Sequence, residues 1–221
     1  MSSTLVKRPC ILLGGGGHAR VLLEALREQP HLTPIGLTDP DETLWGSSVM
    51  GLPVLGGDDE ILRYPPAEVN LANGLGSTFS TAPRQALFER WRALGYSFTQ
   101  IIHSSALISP TAQLEPGVQV LAGSIISTNA KAGLNSIVNT GGIVEHDCRI
   151  GQHVHLAPGV VLSGGVSIGD GSHLGTGCVV IQNVSIGAGC VIGAGAVVTT
   201  SIAPYTLALG IPARAIRSLA S

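Results

Sequence analysis

Residues Asn139 to Val160 read NTGGIVEHDCRIGQHVHLAPGV. Within this stretch Val144, Ile150 and Leu156 stand six residues apart, and the spacing continues in both directions. Before it come Ile108, Leu114, Val120, Ile126, Ala132 and Val138; after it come Leu162, Ile168, Leu174, Val180, Ile186, Ile192 and Val198. Four residues after each of these sits a small or β-branched residue, such as Ala112, Ser124, Ser136, Cys148, Val160, Cys178 and Cys190. A helix repeats near 3.6 residues and a half-buried strand near 2, so a strict period of six needs another geometry. A parallel β-helix built from hexapeptides supplies it. Each six-residue unit forms one side of a triangular coil, three units complete a turn of 18 residues, and turns stack at strand spacing, about 4.8 Å. The aliphatic residue then points into the prism and the small one fills the interior near the corner. Gly151, Gly169, Gly175, Gly187 and Gly193 are read as corner residues in backbone conformations awkward for larger side chains.

Composition agrees with an aliphatic core. Aromatic residues make up 4% of the 221, and glycines number 30. With 12 basic against 14 acidic residues and a net charge of -2, no electrostatic footprint for nucleic acid is present. Neither a signal peptide nor a membrane span is read, despite the positive mean hydropathy. The expectation is a soluble, cytoplasmic protein. The four cysteines, Cys10, Cys148, Cys178 and Cys190, lack metal spacing, and three of them fall at small positions of the repeat.

Residues 1–100 follow a different pattern. CILLGGGG is an apolar run ending in glycines, and HARVLLEALRE has helical periodicity with Val21, Leu22, Ala25 and Leu26 on one face. PIGLTD reads as a second strand and AEVNLANGLG as a third. TAPRQALFERWRALG reads as a helix with Pro83 near its start and Gly95 past its end. The expected architecture is therefore a small α/β, Rossmann-like half-fold over 1–100, followed by an all-β parallel β-helix with a C-terminal cap over 101–221. Gly14 to Ala19 fits G-x-G-x-x-A between strand and helix, with Asp39 downstream. Backbone N–H groups at the helix start suit a phosphate, and the acid suits a ribose hydroxyl. Because the second βαβ half is missing, a mononucleotide or nucleotide sugar is favoured over NAD. His18 is placed to reach a diphosphate or sugar.

GGGGHARV, the uninterrupted hexapeptides, NTGGIVEHDCRIGQHVHLAPG and the closing LALGIPARAIRSL together resemble the bacterial sugar acyltransferase family of the left-handed β-helix superfamily. That family includes N-acetyltransferases of nucleotide-linked 4-amino-deoxysugars, of bacillosamine and perosamine type, and sialic acid O-acetyltransferases. The resemblance implies an acetyl-CoA-dependent enzyme that needs no metal and works as a homotrimer with active sites between subunits. It implies that His146 is the general base, that Asp147 orients it, and that His155 contacts acetyl-CoA. Gly164, Gly175, Thr176 and Ala194 would then lie along the pantetheine arm. Gly16, Gly17, His18, Asp39, Gly74 and Asn139 would hold the nucleotide sugar.

The six-residue register bears on these roles. His146 and Asp147 follow the inward Val144 by two and three places, so both lie outside the prism. His155 is nine residues from His146, half a coil, so the two meet only across a subunit boundary. Asn139 is expected with His146 and Asp147 at one cleft, and His155 at another. His155 and His173, 18 apart, are expected to stack. Backbone N–H groups of Gly141, Gly142 or Gly164 are candidate oxyanion donors. The leading reading is N-acetylation of a nucleotide-linked amino sugar, with sugar O-acetylation as the alternative. A noncatalytic or zinc-dependent hexapeptide protein is disfavoured, because His153 and His155 are only two residues apart and no tetrahedral set is evident.

Overall fold

The computed structural model describes residues 7–220. The N-terminal part is a six-stranded sheet in the order β3-β4-β2-β1-β5-β6. Its strands are β1 (Arg8–Leu13), β2 (Leu32–Thr38), β3 (Ser48–Val49), β4 (Leu52–Gly56), β5 (Asn70–Asn73) and β6 (Ser97–Phe98), with helices α1 (Gly17–Arg27) and α2 (Ala82–Ala93). All neighbours run parallel except β3, which turns back on β4. The hairpin β3–β4 and the strand β6 add to the three strands expected. β3 and β6 are two residues long, and β4 carries Pro53 and Gly56, so none has the periodicity or composition that marks a strand.

β1 is a continuous apolar run because both of its faces are covered. Cys10 and Leu12 share a core with Leu22 and Leu26 of α1, while Ile11 and Leu13 share one with Phe88 and Trp91 of α2. Leu22, Ala25 and Leu26 are buried as expected, but Val21 is 44% exposed. Pro83 lies in the first turn of α2, and Gly95, at φ +88°, follows its end.

The prism starts at Ile101–Ile102 and contains seventeen two-residue strands among the described residues. Strands 18 residues apart pair in parallel register, so Gln119 lies beside Ile137, Ile137 beside His155 and His155 beside His173. From Val120 to Val198 every residue of the aliphatic series is at most 4% exposed. The serines at small positions, and Cys148 and Cys190, are buried with their polar atoms satisfied. Ser136 Oγ donates to Gly151 O at 2.8 Å, Ser172 Oγ to Gly187 O at 2.9 Å and Cys148 Sγ to Ser163 O at 3.2 Å.

The corner glycines differ from expectation. Gly151, Gly169, Gly175, Gly187 and Gly193 do not have positive φ; the left-handed corners belong to Gly141, Gly159, Gly177 and others, and to Asn129, Asn135, Asp147, His153 and Asn183. The five are glycines because the next coil leaves no room. A Cβ on Gly175 would stand 2.6 Å from Ala194 N, and one on Gly151 would overlap Asp170.

The three faces of the prism differ on the outside. On the face carrying Gln119, Ile137, His155, His173 and Val191, the outward residues are at most 9% exposed, because the N-terminal part lies over them. The next face presents an aliphatic stripe, Leu107, Ile125, Ile143, Val161, Val179 and Val197, that is exposed or half-buried. On the third face Gln113, Lys131 and Arg149 face solvent. The strand Thr206–Leu209 extends the first face beyond Val191–Ile192 and pairs antiparallel with Arg214–Ser218. Among the described residues no helix is long and apolar enough to cross a membrane.

Candidate active site

A cavity of about 1060 Å³ opens where α1 and the Gly76–Phe79 segment meet the corner after the covered face. It brings together Gly17, His18, Asn139, His155, Gly175, Thr176 and Ala194, which the sequence singled out, and adds Val21, Ser77, Phe79, His173, Leu207 and Leu209. Val21 is exposed on α1 because it faces this space. Ser77 carries no signal in the sequence, because its role depends on partners 78 and 96 residues away.

The imidazoles form a row, with ring centroids 6.1 Å apart for His18 and His155 and 5.1 Å for His155 and His173. Ser77 Oγ lies 2.8 Å from His155 Nδ1 and 3.0 Å from His173 Nδ1. Asn139 Nδ2 lies 3.2 Å from His155 Nε2. Burial disfavours the charged form of each ring. His18 is lowered to about 4, first by desolvation and then by the Arg84 guanidinium, although its bond to Gln119 opposes this. Desolvation, then neighbouring His173 and His18, push His155 further down, and desolvation lowers His173. All three are neutral at pH 7.

The tautomer of His18 follows from its surroundings. Gln119 Nε2 donates to Asn73 O at 2.7 Å, which leaves Gln119 Oε1 facing His18 Nε2 at 2.8 Å. The proton is therefore on His18 Nε2, and Nδ1 is an acceptor. Arg84 of α2, 1% exposed, holds the loop before Ser77 by donating to Asn73 O and Leu75 O at 2.8 and 2.7 Å.

His146 and Asp147 sit at a different corner, between the aliphatic and polar faces, with side chains 62% and 59% exposed. His146 Nδ1 is 2.9 Å from Asp147 Oδ2, so the short acid reaches the ring. Asp147 has φ +61°, a conformation that Asn and Asp tolerate better than most residues. Its carboxyl is lowered, chiefly by the hydrogen bond to His146 and then by Asn129. His146 Nε2 has no partner among the described residues and faces Gly164, where a Cβ would stand 2.5 Å away.

Several expected placements change. Asn139 belongs with His155 and not with His146 and Asp147, because the corner after Val138 lies one face before theirs. Gly164 lies beside His146 rather than in the cavity with Gly175, Thr176 and Ala194. Gly74 is a packing glycine, since a Cβ there would stand 2.5 Å from Leu13 O and 2.9 Å from the Ala19 Cβ. Gly16 caps α1. Asp39 Oδ2 accepts the Gly15 N–H at 2.7 Å and Oδ1 the Asp41 N–H at 2.9 Å, so this acid braces the glycine loop. Of the candidate oxyanion donors, Gly141 N–H and Gly142 N–H already donate to Ala122 O and Asn139 O, whereas Gly164 N–H has no acceptor among the described residues. His153 lies elsewhere, against Asn135 and Phe88, and no group of three potential metal ligands converges among the described residues.

Residues 10–90 match the family described as PglD N-terminal domain, and residues 165–200 match the bacterial transferase hexapeptide (six repeats). No curated protein sequence matches the chain. Among solved structures, PerB from Caulobacter crescentus in complex with CoA and GDP-perosamine is 38% identical, with a TM-score of 0.87 over 95% of this chain and 97% of that one. A variant of the GDP-perosamine N-acetyltransferase from the same organism, also with CoA and GDP-perosamine, is 37% identical with a TM-score of 0.88 and the same coverage. The acetyltransferase domain of PglB from Neisseria gonorrhoeae, in complex with acetyl coenzyme A, is 30% identical, with a TM-score of 0.87 over 95% of this chain and 100% of that one. With a sheet domain on a hexapeptide prism, a cavity between them and these similarities over nearly its whole length, the chain belongs to the bacterial sugar acyltransferase family of the left-handed β-helix superfamily.

Proposed function

We propose that this acyltransferase moves acetyl from acetyl-CoA to the 4-amino group of a nucleotide-linked amino-deoxysugar, as a cytoplasmic homotrimer. The observation that carries the reading is the His146–Asp147 pair. A carboxylate 2.9 Å from Nδ1 fixes the ring so that Nε2, unpartnered, is the basic nitrogen. In this reading the amine attacks the thioester carbonyl directly. The N–C bond forms, the C–S bond breaks, and Nε2 takes the proton from nitrogen and delivers it to the departing CoA thiolate. Gly164 N–H, beside the ring, serves the oxyanion. Cys148 takes no part as an acyl carrier, since it is buried and burial raises its thiol.

Trimer formation is supported by the aliphatic stripe from Leu107 to Val197, a partly exposed apolar strip that separates the cavity corner from the His146 corner. Packing this stripe against a second copy brings the His146 of one subunit to the cavity of the next. The acetyl-CoA arm then runs past Gly175, Thr176 and Ala194, and the sugar lies toward His18 and Asn139. GDP-perosamine and CoA bound to the Caulobacter protein support this choice of substrates. The test is thiol release from acetyl-CoA with UDP-, GDP- and dTDP-linked 4-amino sugars, beside hydroxyl sugars. Turnover confined to hydroxyl acceptors would refute amine transfer. His146→Ala should lower kcat by at least about 100-fold with the oligomer intact, and wild-type turnover would remove His146 as the base.

A further inference from the structure

The hydrogen bonds around Ser77 have a direction. Thr140 N–H is an unambiguous donor, and it lies 2.8 Å from Asn139 Oδ1. The Asn139 amide is thereby fixed with Nδ2 toward His155 Nε2 at 3.2 Å, so Nε2 must accept. A neutral His155 then carries its proton on Nδ1 and donates it to Ser77 Oγ at 2.8 Å. The Ser77 hydroxyl hydrogen has one acceptor within reach, His173 Nδ1 at 3.0 Å. That nitrogen is the one acceptor that the described residues offer this half-buried hydroxyl, and a donor left unpaired there costs more than the bond it can make. His173 therefore carries its proton on Nε2, which has no partner among the described residues, and the residue lines the cavity.

Both nitrogens of His155 are thus occupied by the protein itself, and the donor offered to a ligand is one coil further along. We infer that His173, through Nε2–H, is the hydrogen-bond donor to a carbonyl oxygen of the acyl-pantetheine arm, and that Ser77 is a positioning residue that sets its tautomer. The inference rests on the proposal that acyl-CoA occupies this cavity. An imidazole held neutral and with one fixed N–H suits a carbonyl, which accepts only. His155 passes the hydrogen-bond direction from Asn139 to Ser77.

Two measurements test this, and neither needs the sugar. Long-range proton–nitrogen correlation spectra of the histidine-labelled, ligand-free protein should show His155 protonated on Nδ1 and His173 on Nε2. Calorimetry should show that His173→Leu weakens acetyl-CoA binding by about tenfold, while His173→Gln, which keeps an N–H near the same point, stays within about threefold. A loss shared by CoA assigns the bond to a pantetheine amide, and a loss confined to acetyl-CoA assigns it to the thioester; both support the inference. If His173→Leu does not fold, Ser77→Ala should let His173 populate both tautomers, and an unchanged single tautomer overturns the role of Ser77. His173 protonated on Nδ1, or wild-type affinity in His173→Leu, overturns the inference while leaving the cavity's occupant intact. A wild-type protein that binds neither CoA nor acetyl-CoA overturns the occupant and the inference with it.

Discussion

The two histidine sites of this protein are built on opposite principles. His146 stands on an open corner beside a single carboxylate, with most of its side chain in water. His18, His155 and His173 lie in a roofed cavity, each held neutral by burial and connected through Ser77, Asn139 and Gln119. The proposed proton transfer needs a free ring nitrogen, and Asp147 on Nδ1 leaves His146 Nε2 in that state. Binding an acceptor needs a ring that keeps one proton in one place, which desolvation and directed hydrogen bonds provide. One side-chain type is thus set in two environments, because one corner of the prism has a roof and the other is bare.

The largest effect should come from keeping the two corners of neighbouring copies apart. Placing charges on the stripe with Val161→Asp and Val179→Asp should give monomers in sedimentation and lower turnover by more than about 100-fold. Monomers with full activity would show that one chain holds the whole site. Mixing subunits sharpens the same contrast. In the proposed trimer His146→Ala and His155→Ala should each lower turnover strongly, but random co-assembly at equal amounts should recover about a quarter of the wild-type sites if each site draws on two copies. Absence of recovery in verified mixed trimers would place both residues in one subunit's site.

Acid should affect the roofed cluster next. The folded pKa of His18, about 4, lies below the unfolded value of about 6.5, so the unfolded chain binds its proton first. Its stabilising contribution is full above about pH 6.5 and is lost as pH falls toward 4, amounting to about 3 kcal/mol; His155, lowered further, acts in the same direction. The Tm should therefore fall steadily through this window, and His18→Gln should flatten the slope. An unchanged slope would mean that His18 is not held neutral. The smallest effect belongs to Asp147→Asn, which keeps a residue suited to positive φ but removes the charge. Its kcat should fall by about tenfold without a change in Tm.

The prism was readable from sequence because its interior repeats with one period and the coils tolerate no slip. From Val120 to Val198 the inward series matches burial at every position, while Ile108 and Leu114 at its start are partly buried, and the same register puts His146 and His155 at separate corners. What it could not supply were contacts that cross between the two parts of the chain. Gln119 looks like any outward polar residue of the repeat until His18, 101 residues earlier, is placed against it. Ser77 lies in a short glycine loop, and Arg84 in a helix whose pattern suggests a solvated cation, yet both are fixed by partners on other elements. Asn139, expected with His146 and Asp147, stands one face earlier beside His155. The corner glycines were recognised, but for the wrong physical cause, because crowding from the next coil leaves no trace in the local sequence.

Coil stacking also gives the cavity a graduated length. His155, His173, Val191 and Leu207 come from four successive paired strands, so the wall they line spans three strand spacings, about 14 Å. Up to Val191 the register contacts repeat after 18 residues, so removing one whole coil there would shorten that wall by a single step of about 4.8 Å without disturbing the pairing on either side. If acyl-CoA lies along this wall as proposed, it is measured in whole coils, and the number of repeats fixes how far the segment at Leu207 and Leu209 stands from His155.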